Sequence, residues 1–163
     1  MRYIIYLIFL VSSFKTTNAQ KNNPYELINN IPQILNAKFA IIDSLVPMTK
    51  INKKELMFLS KKELKELKKL SLKSEGMKID YDSIVNYTLF PAETIFKAFE
   101  YFDSTAIQLF KDKSYYLLSN PLFFSGGSKV IMRVSLIKGY GSLYILERKE
   151  NEWKVLKNIY QWM

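Results

Sequence analysis

The last fifty residues constrain the fold most. They read "SYYLLSNPLFF", "SGGSK", "KVIMRVSLI", "KGYG", "SLYILERK", "ENE" and "WKVLKNIYQW". Apolar runs of strand length alternate with short turn-forming segments, the signature of an antiparallel β-meander of about four strands. Val130, Met132, Val134 and Leu136 recur at period two and so share one face of a strand. Pro121 interrupts the first run, as at a sheet edge or bulge.

The glycine pair in "FSGGSKV" invites a comparison with phosphate-binding loops. Such loops follow G-x-x-x-x-G-K-[S/T] and lead into a helix. Here the glycine spacing differs and a strand follows, so the pair is expected to supply the positive φ of a hairpin turn.

The first half reads differently. Pro24 can open a helix at its first position. "YELINNIPQILNAKFAIIDSLV" reads as two helical pieces, or one interrupted at Pro32, ending near Val46–Pro47. "KELMFLS" at 54–60 is open between helix end and short strand. "SKKE" at 60–63 is a capping box, with Ser60 and Glu63 bonding reciprocally. A helix over 61–71 follows, with Leu64, Leu67 and Leu70 inward and a Lys62–Glu66 pair outside. Gly76 is the expected stop for the chain's turn out of this region. "MKIDYDSIVNYTLF" suggests one strand or two short ones. Helices are expected over 92–102 and 104–113. The fold class is therefore α+β: N-terminal helices packed on the C-terminal meander, as a single domain over 20–163. Expected core members are Leu64, Leu67, Val130, Met132, Val134, Leu143, Ile145, Trp153 and Val155.

Residues 1–19 have the layout of a signal peptide: Arg2, an apolar run from Tyr3 to Val11, then small and polar residues. Thr17 and Ala19 fit the −3 and −1 positions, so cleavage is expected between Ala19 and Gln20. The apolar run is shorter than the roughly 20 residues that span a bilayer. The product is expected to be secreted or periplasmic.

The chain has no cysteine and no histidine. The fold must therefore cohere by packing, for which 11 Phe, 11 Tyr and two Trp provide material. The same lack removes histidine bases, cysteine nucleophiles, the Ser-His-Asp triad and most zinc sites. No metal or cofactor is implied. Asp80 and Asp82, two apart on a strand, are candidates for a carboxylate-dependent hydrolase and read more simply as solvated charges. Ser60 and Ser125 lie near lysines, but capping and turn formation account for them.

The net charge of +9 is unevenly spread: residues 50–78 hold ten lysines against four acids. Lys61, Lys62, Lys65, Lys68 and Lys69 form a candidate anion-binding face, or a plain solvated helix face. Lysine without arginine does not suit bidentate phosphate recognition, and nucleic acid is not expected as a partner. Tyr140, Tyr160 and Trp162 are candidates for a surface that meets an envelope protein or glycan. The function expected is that of a non-enzymatic binding or structural module.

"LLSNPLFFSGGSKVIMRVSL" together with "GYGSLYILERKENEWKVLKNIYQWM" resembles the C-terminal half of a group of small exported proteins of Bacteroidetes-type bacteria. Their pattern runs SxPxFS, a turn and strand, then CGxxCGxGxLY and GxWxV. Ser119, Pro121, Phe124, Ser125, Gly139, Gly141, Leu143, Tyr144, Trp153 and Val155 align with it, and "LSKKELKEL" at 59–67 resembles the start of their central helix. This chain lacks the two cysteines of the pattern, so no redox role carries over. The resemblance implies export and a similar fold, and no activity.

Overall fold

The computed structural model describes residues 22–35, 40–48, 51–86, 88–100, 115–137 and 141–161. The expected signal segment, the helix over 104–113 and most of the "KGYG" turn lie outside them. The first helix, α1 (Pro24–Leu35), opens as the sequence suggests, with Asn23 Oδ1 accepting from the Tyr25 amide at 3.0 Å. Pro32 sits inside it without breaking it.

The next element departs from expectation. Ala40–Val46 forms strand β1 rather than the end of a helix. Its β-branched residues favour extended backbone, and its neighbours require it: β1 lies inside the sheet and is buried on both faces. Ile41 and Leu45 join one core cluster, whereas Ala40 and Ile42 join another. A continuous apolar run of this kind cannot be assigned from periodicity alone.

After β1 come a 3-10 turn (Lys53–Leu56), helix α2 (Lys61–Ser71), strands β2 (Met77–Lys78) and β3 (Thr88–Phe90), and helix α3 (Ala92–Glu100). Strands β4 (Tyr115–Ser119), β5 (Leu122–Phe124), β6 (Lys129–Leu136), β7 (Gly141–Lys149) and β8 (Glu152–Gln161) complete the chain. Helix α2 keeps the expected bounds of 61–71, with Leu72 as its cap.

The α+β class holds, but the expected sheet of about four strands in a meander was too small and too simple. Among the described residues, one eight-stranded mixed sheet runs β2-β1-β4-β6-β7-β8, with β3 beside β1 and β5 beside β6. β1 is parallel to both β3 and β4, and antiparallel to β2. Strands from β4 onward pair antiparallel. β4 and β5 are two pieces of one bent ribbon along β6, offset by one residue across Asn120–Pro121. At the offset, the Ser119 hydroxyl accepts from the Arg133 amide at 2.8 Å and the Asn120 amide donates to the Val46 carbonyl at 2.8 Å. The break therefore leaves those groups bonded.

The sheet is covered on both faces. α1 packs Leu27, Ile28 and Ile31 with Val130, Met132, Val134 and Leu146. On the other face, α2 packs Leu67 with Phe124, Ile131, Leu143 and Ile145, and Ile95 of α3 packs with Ile42 and Tyr115. Leu64 and Leu70 are half-buried against the same cluster as Leu67. Of the expected core, Val155 is the exception, at 42% exposure. It lies on the terminal strand beside a bulge, where Val155 pairs with Leu146 but Lys157 pairs with Ile145. The inserted Leu156 breaks the period-two pattern there.

Candidate functional site

Helix α2 is built by its ends. The Ser60 hydroxyl accepts from the Glu63 amide at 3.3 Å, and Glu63 Oε2 accepts from the Ser60 amide at 2.8 Å, the reciprocal box read from the sequence. Ahead of it, the 3-10 turn and its successor bury Leu56 and Leu59 and present Met57 and Phe58 outward. With Leu67 fixed inward, 3.6-residue periodicity places Lys61, Lys62, Lys65, Lys68 and Lys69 on the solvent side. All five are exposed. None forms an ion pair with another described residue.

The helix's own acids point elsewhere. Glu63 Oε1 accepts from Lys129 Nζ at 2.8 Å and from the Ser125 hydroxyl at 2.8 Å, and Oε2 also accepts from the Ser60 hydroxyl at 2.7 Å. Glu66 Oε2 accepts from the Ser125 amide at 3.2 Å, in place of the expected Lys62–Glu66 pair. The Lys129 ammonium, aided by Ser60, holds the Glu63 carboxyl at a pKa of about 2, against burial acting the other way.

This geometry answers the question posed by the glycine pair. Ser125, Gly126 and Gly127 have φ of 53°, 66° and 87° and turn β5 into β6. Left-handed backbone at successive positions is where glycine is favoured. The donors that the turn aims at α2 are taken by the protein's own carboxylates, Glu63 and Glu66.

The other sites named from sequence are dispersed. Tyr140 and Trp162 lie outside the described residues, and Tyr160 is placed only as a register position on β8 opposite Ser142. Asp80 and Asp82 are not on a strand. Asp80 caps a 3-10 turn at Tyr81–Ser83, accepting from the Asp82 amide at 3.2 Å and the Ser83 hydroxyl at 2.8 Å. Both acids are exposed.

Two polar groupings were not anticipated. Asp43, in the apolar run of β1, is only 4% exposed. Its Oδ1 accepts from the Ala92 amide at 2.9 Å, the first residue of α3, and its Oδ2 accepts from the Tyr81 hydroxyl at 3.3 Å. Burial, then the nearby Asp43 charge, pushes the Tyr81 pKa up. Asp43 thus ties helix α3 to the sheet from a distance in sequence that no local pattern signals. Arg148 reaches Glu26 of α1 at 2.7 Å and lies 4.6 Å over the Trp153 ring. A cleft of about 410 Å³ beside it is lined by Glu26, Asn30, Gln33, Asn151, Glu152 and Trp153.

Comparison with protein-family profiles, characterised proteins and solved structures gives no match. Among the described residues no helix is long and apolar enough to cross a membrane.

Proposed function

We propose that the chain is an exported, non-enzymatic binding module whose working surface is the outer face of α2. One observation carries the reading. Five exposed lysines share that face without ionic partners among the described residues, while Glu63 and Glu66 of the same helix are drawn to the β5–β6 turn. The fold requires one acid at the capping box and an apolar stripe facing the sheet. It does not require five outward cations, whose mutual repulsion opposes the folded helix. A polyanionic partner supplies the missing counter-charge.

Export is supported by the layout of residues 1–19 and by the resemblance to small exported proteins. It places the working surface in the periplasm or outside the cell. The mass of the purified product tests this directly: a chain beginning at Gln20 agrees, and one that keeps residues before it does not.

The binding reading is tested on immobilised dextran sulfate, a soluble polyanion. The chain is expected to be retained at low salt and released as salt rises, because screening weakens contacts between exposed charges. A variant with all five lysines changed to glutamine is expected to bind at least about 10-fold more weakly, the loss of a kilocalorie or more of attraction. Equal retention of the two proteins would remove the proposal.

A further inference from the structure

We infer that the polyanion is an anionic lipid surface, on which the lysine face of α2 lies flat with Met57, Phe58 and Leu72 entering the headgroup region. The inference rests on the binding reading above and adds a second kind of observation to it. Leu72 caps α2 and is 78% exposed. It lines one cleft with Lys62, Lys65, Lys68 and Lys69, whose wall also includes Glu63 and Glu66, both bonded to the β5–β6 turn. At the other end of the helix, Met57 is 79% and Phe58 47% exposed, turned out by a segment that buries their neighbours Leu56 and Leu59.

Charge alone does not separate a lipid headgroup from a soluble polyanion. The apolar residues do. A hydrated, charged polysaccharide offers little apolar surface to cover Met57 and Leu72 together with Phe58, whereas a bilayer interface buries all three. Interfacial helices combine cationic residues with apolar side chains that enter the acyl boundary. Lysine suits this use. Its long stem lies along apolar surface while the ammonium reaches the headgroup layer, and it acts as a point charge rather than a bidentate fork. Among the described residues no helix is long and apolar enough to span a bilayer, and the contact proposed is that of a helix lying on the interface.

The test is co-sedimentation of the purified chain, its N-terminus fixed by mass, with two sets of vesicles at low salt. One set is phosphatidylcholine alone and the other carries phosphatidylglycerol. Binding is expected only to the second, and is expected to fall as salt rises. A Met57→Ser, Phe58→Ser, Leu72→Ser variant is expected to lose about 10- to 100-fold on phosphatidylglycerol vesicles, since burial of apolar side chains drives that part. The same variant is expected to keep wild-type retention on dextran sulfate. Because all three residues are exposed, unchanged circular dichroism and melting are expected for it. Retention on dextran sulfate without binding to either vesicle would overturn the lipid assignment and leave the cationic face standing. Vesicle binding unaffected by the triple change would do the same. Failure on both dextran sulfate and vesicles would remove both readings.

Discussion

Helices α1 and α2 are nearly equal in length, 12 and 11 residues, and cover opposite faces of one sheet. Their outer surfaces have little else in common. α1 buries Leu27, Ile28 and Ile31, and its one charged residue, Glu26, is tied to Arg148. Asn29 is likewise engaged, donating to the Ser83 carbonyl at 2.9 Å and accepting from the Val85 amide at 3.0 Å. Its polar groups serve the fold. α2 has Leu67 as its one fully buried apolar side chain, binds its acids inward, and leaves its cations in water. The comparison separates residues that hold the domain together from residues whose presence the domain does not explain.

If α1 is the cohesive helix, truncating it should do the greatest damage. Ile31→Ala, at a site 1% exposed, is expected to lower stability by about 3–4 kcal/mol, the transfer term plus a cavity. Leu64→Ala, at a half-buried position on α2, is expected to lose about half as much. Urea denaturation of both variants checks the ratio. Equal losses would erase the distinction between the helices.

The inward side of α2 has its own dependence on pH. Glu63 is depressed from 4.5 to about 2 in the folded chain, so its bonds to Lys129 and Ser60 contribute fully above pH 4.5. That contribution fades as pH falls from 4.5 towards 2. Glu63→Gln leaves Lys129 without its carboxylate and weakens the cap, a loss of about 2 kcal/mol at pH 7. The gap between wild type and variant is expected to narrow as pH falls through that window. A gap constant from pH 7 to 2 would place the stability in packing rather than in the ion pair.

How much of this was legible follows from the range of each interaction. The capping box, helix α2 and the turn at "ENE" are local, and the sequence states them within four residues. Glu150 and Asn151, for instance, take the positive φ of 52° and 66° that a two-residue hairpin turn requires. The lysine face was also visible from spacing. What spacing did not show is that Glu66 abandons Lys62 for the Ser125 amide, because that amide arrives from 59 residues away. Strand β1 was misread for the same reason. An apolar run becomes a strand or a helix according to what lies beside it, and its partners β3 and β4 come far later in the chain. Asp43 gave no warning either, since its partners Tyr81 and Ala92 are 38 and 49 residues on.

The glycine turn that receives those acids gives a smaller effect. Gly126→Ala meets no atom within 4 Å but keeps φ at 66°, so only backbone strain opposes it, about 1 kcal/mol. Gly127→Ala adds a Cβ 2.5 Å from Asn22 Oδ1 at φ 87° and is expected to lose somewhat more. Thermal melts of the pair, with Asn22→Ala added to the second, separate contact from strain. If the Asn22 change fails to narrow the difference, the contact is not the cause.

The smallest expected effect on stability is the most telling for function. Changing Lys61, Lys62, Lys65, Lys68 and Lys69 together to glutamine removes five charges from exposed positions that lack ionic partners among the described residues. Glutamine has nearly the helix propensity of lysine, and repulsion such as that between Lys65 and Lys69 is relieved. Stability is therefore expected to stay within about 0.5 kcal/mol of wild type, or to rise slightly. A loss of 2 kcal/mol would show that the lysines serve the fold as Glu26 and Asn29 do on α1. The contrast between the helices would then collapse, and with it the reason to look for a partner on α2. Unchanged stability leaves five cations that the fold does not use, on a surface where an anionic partner can.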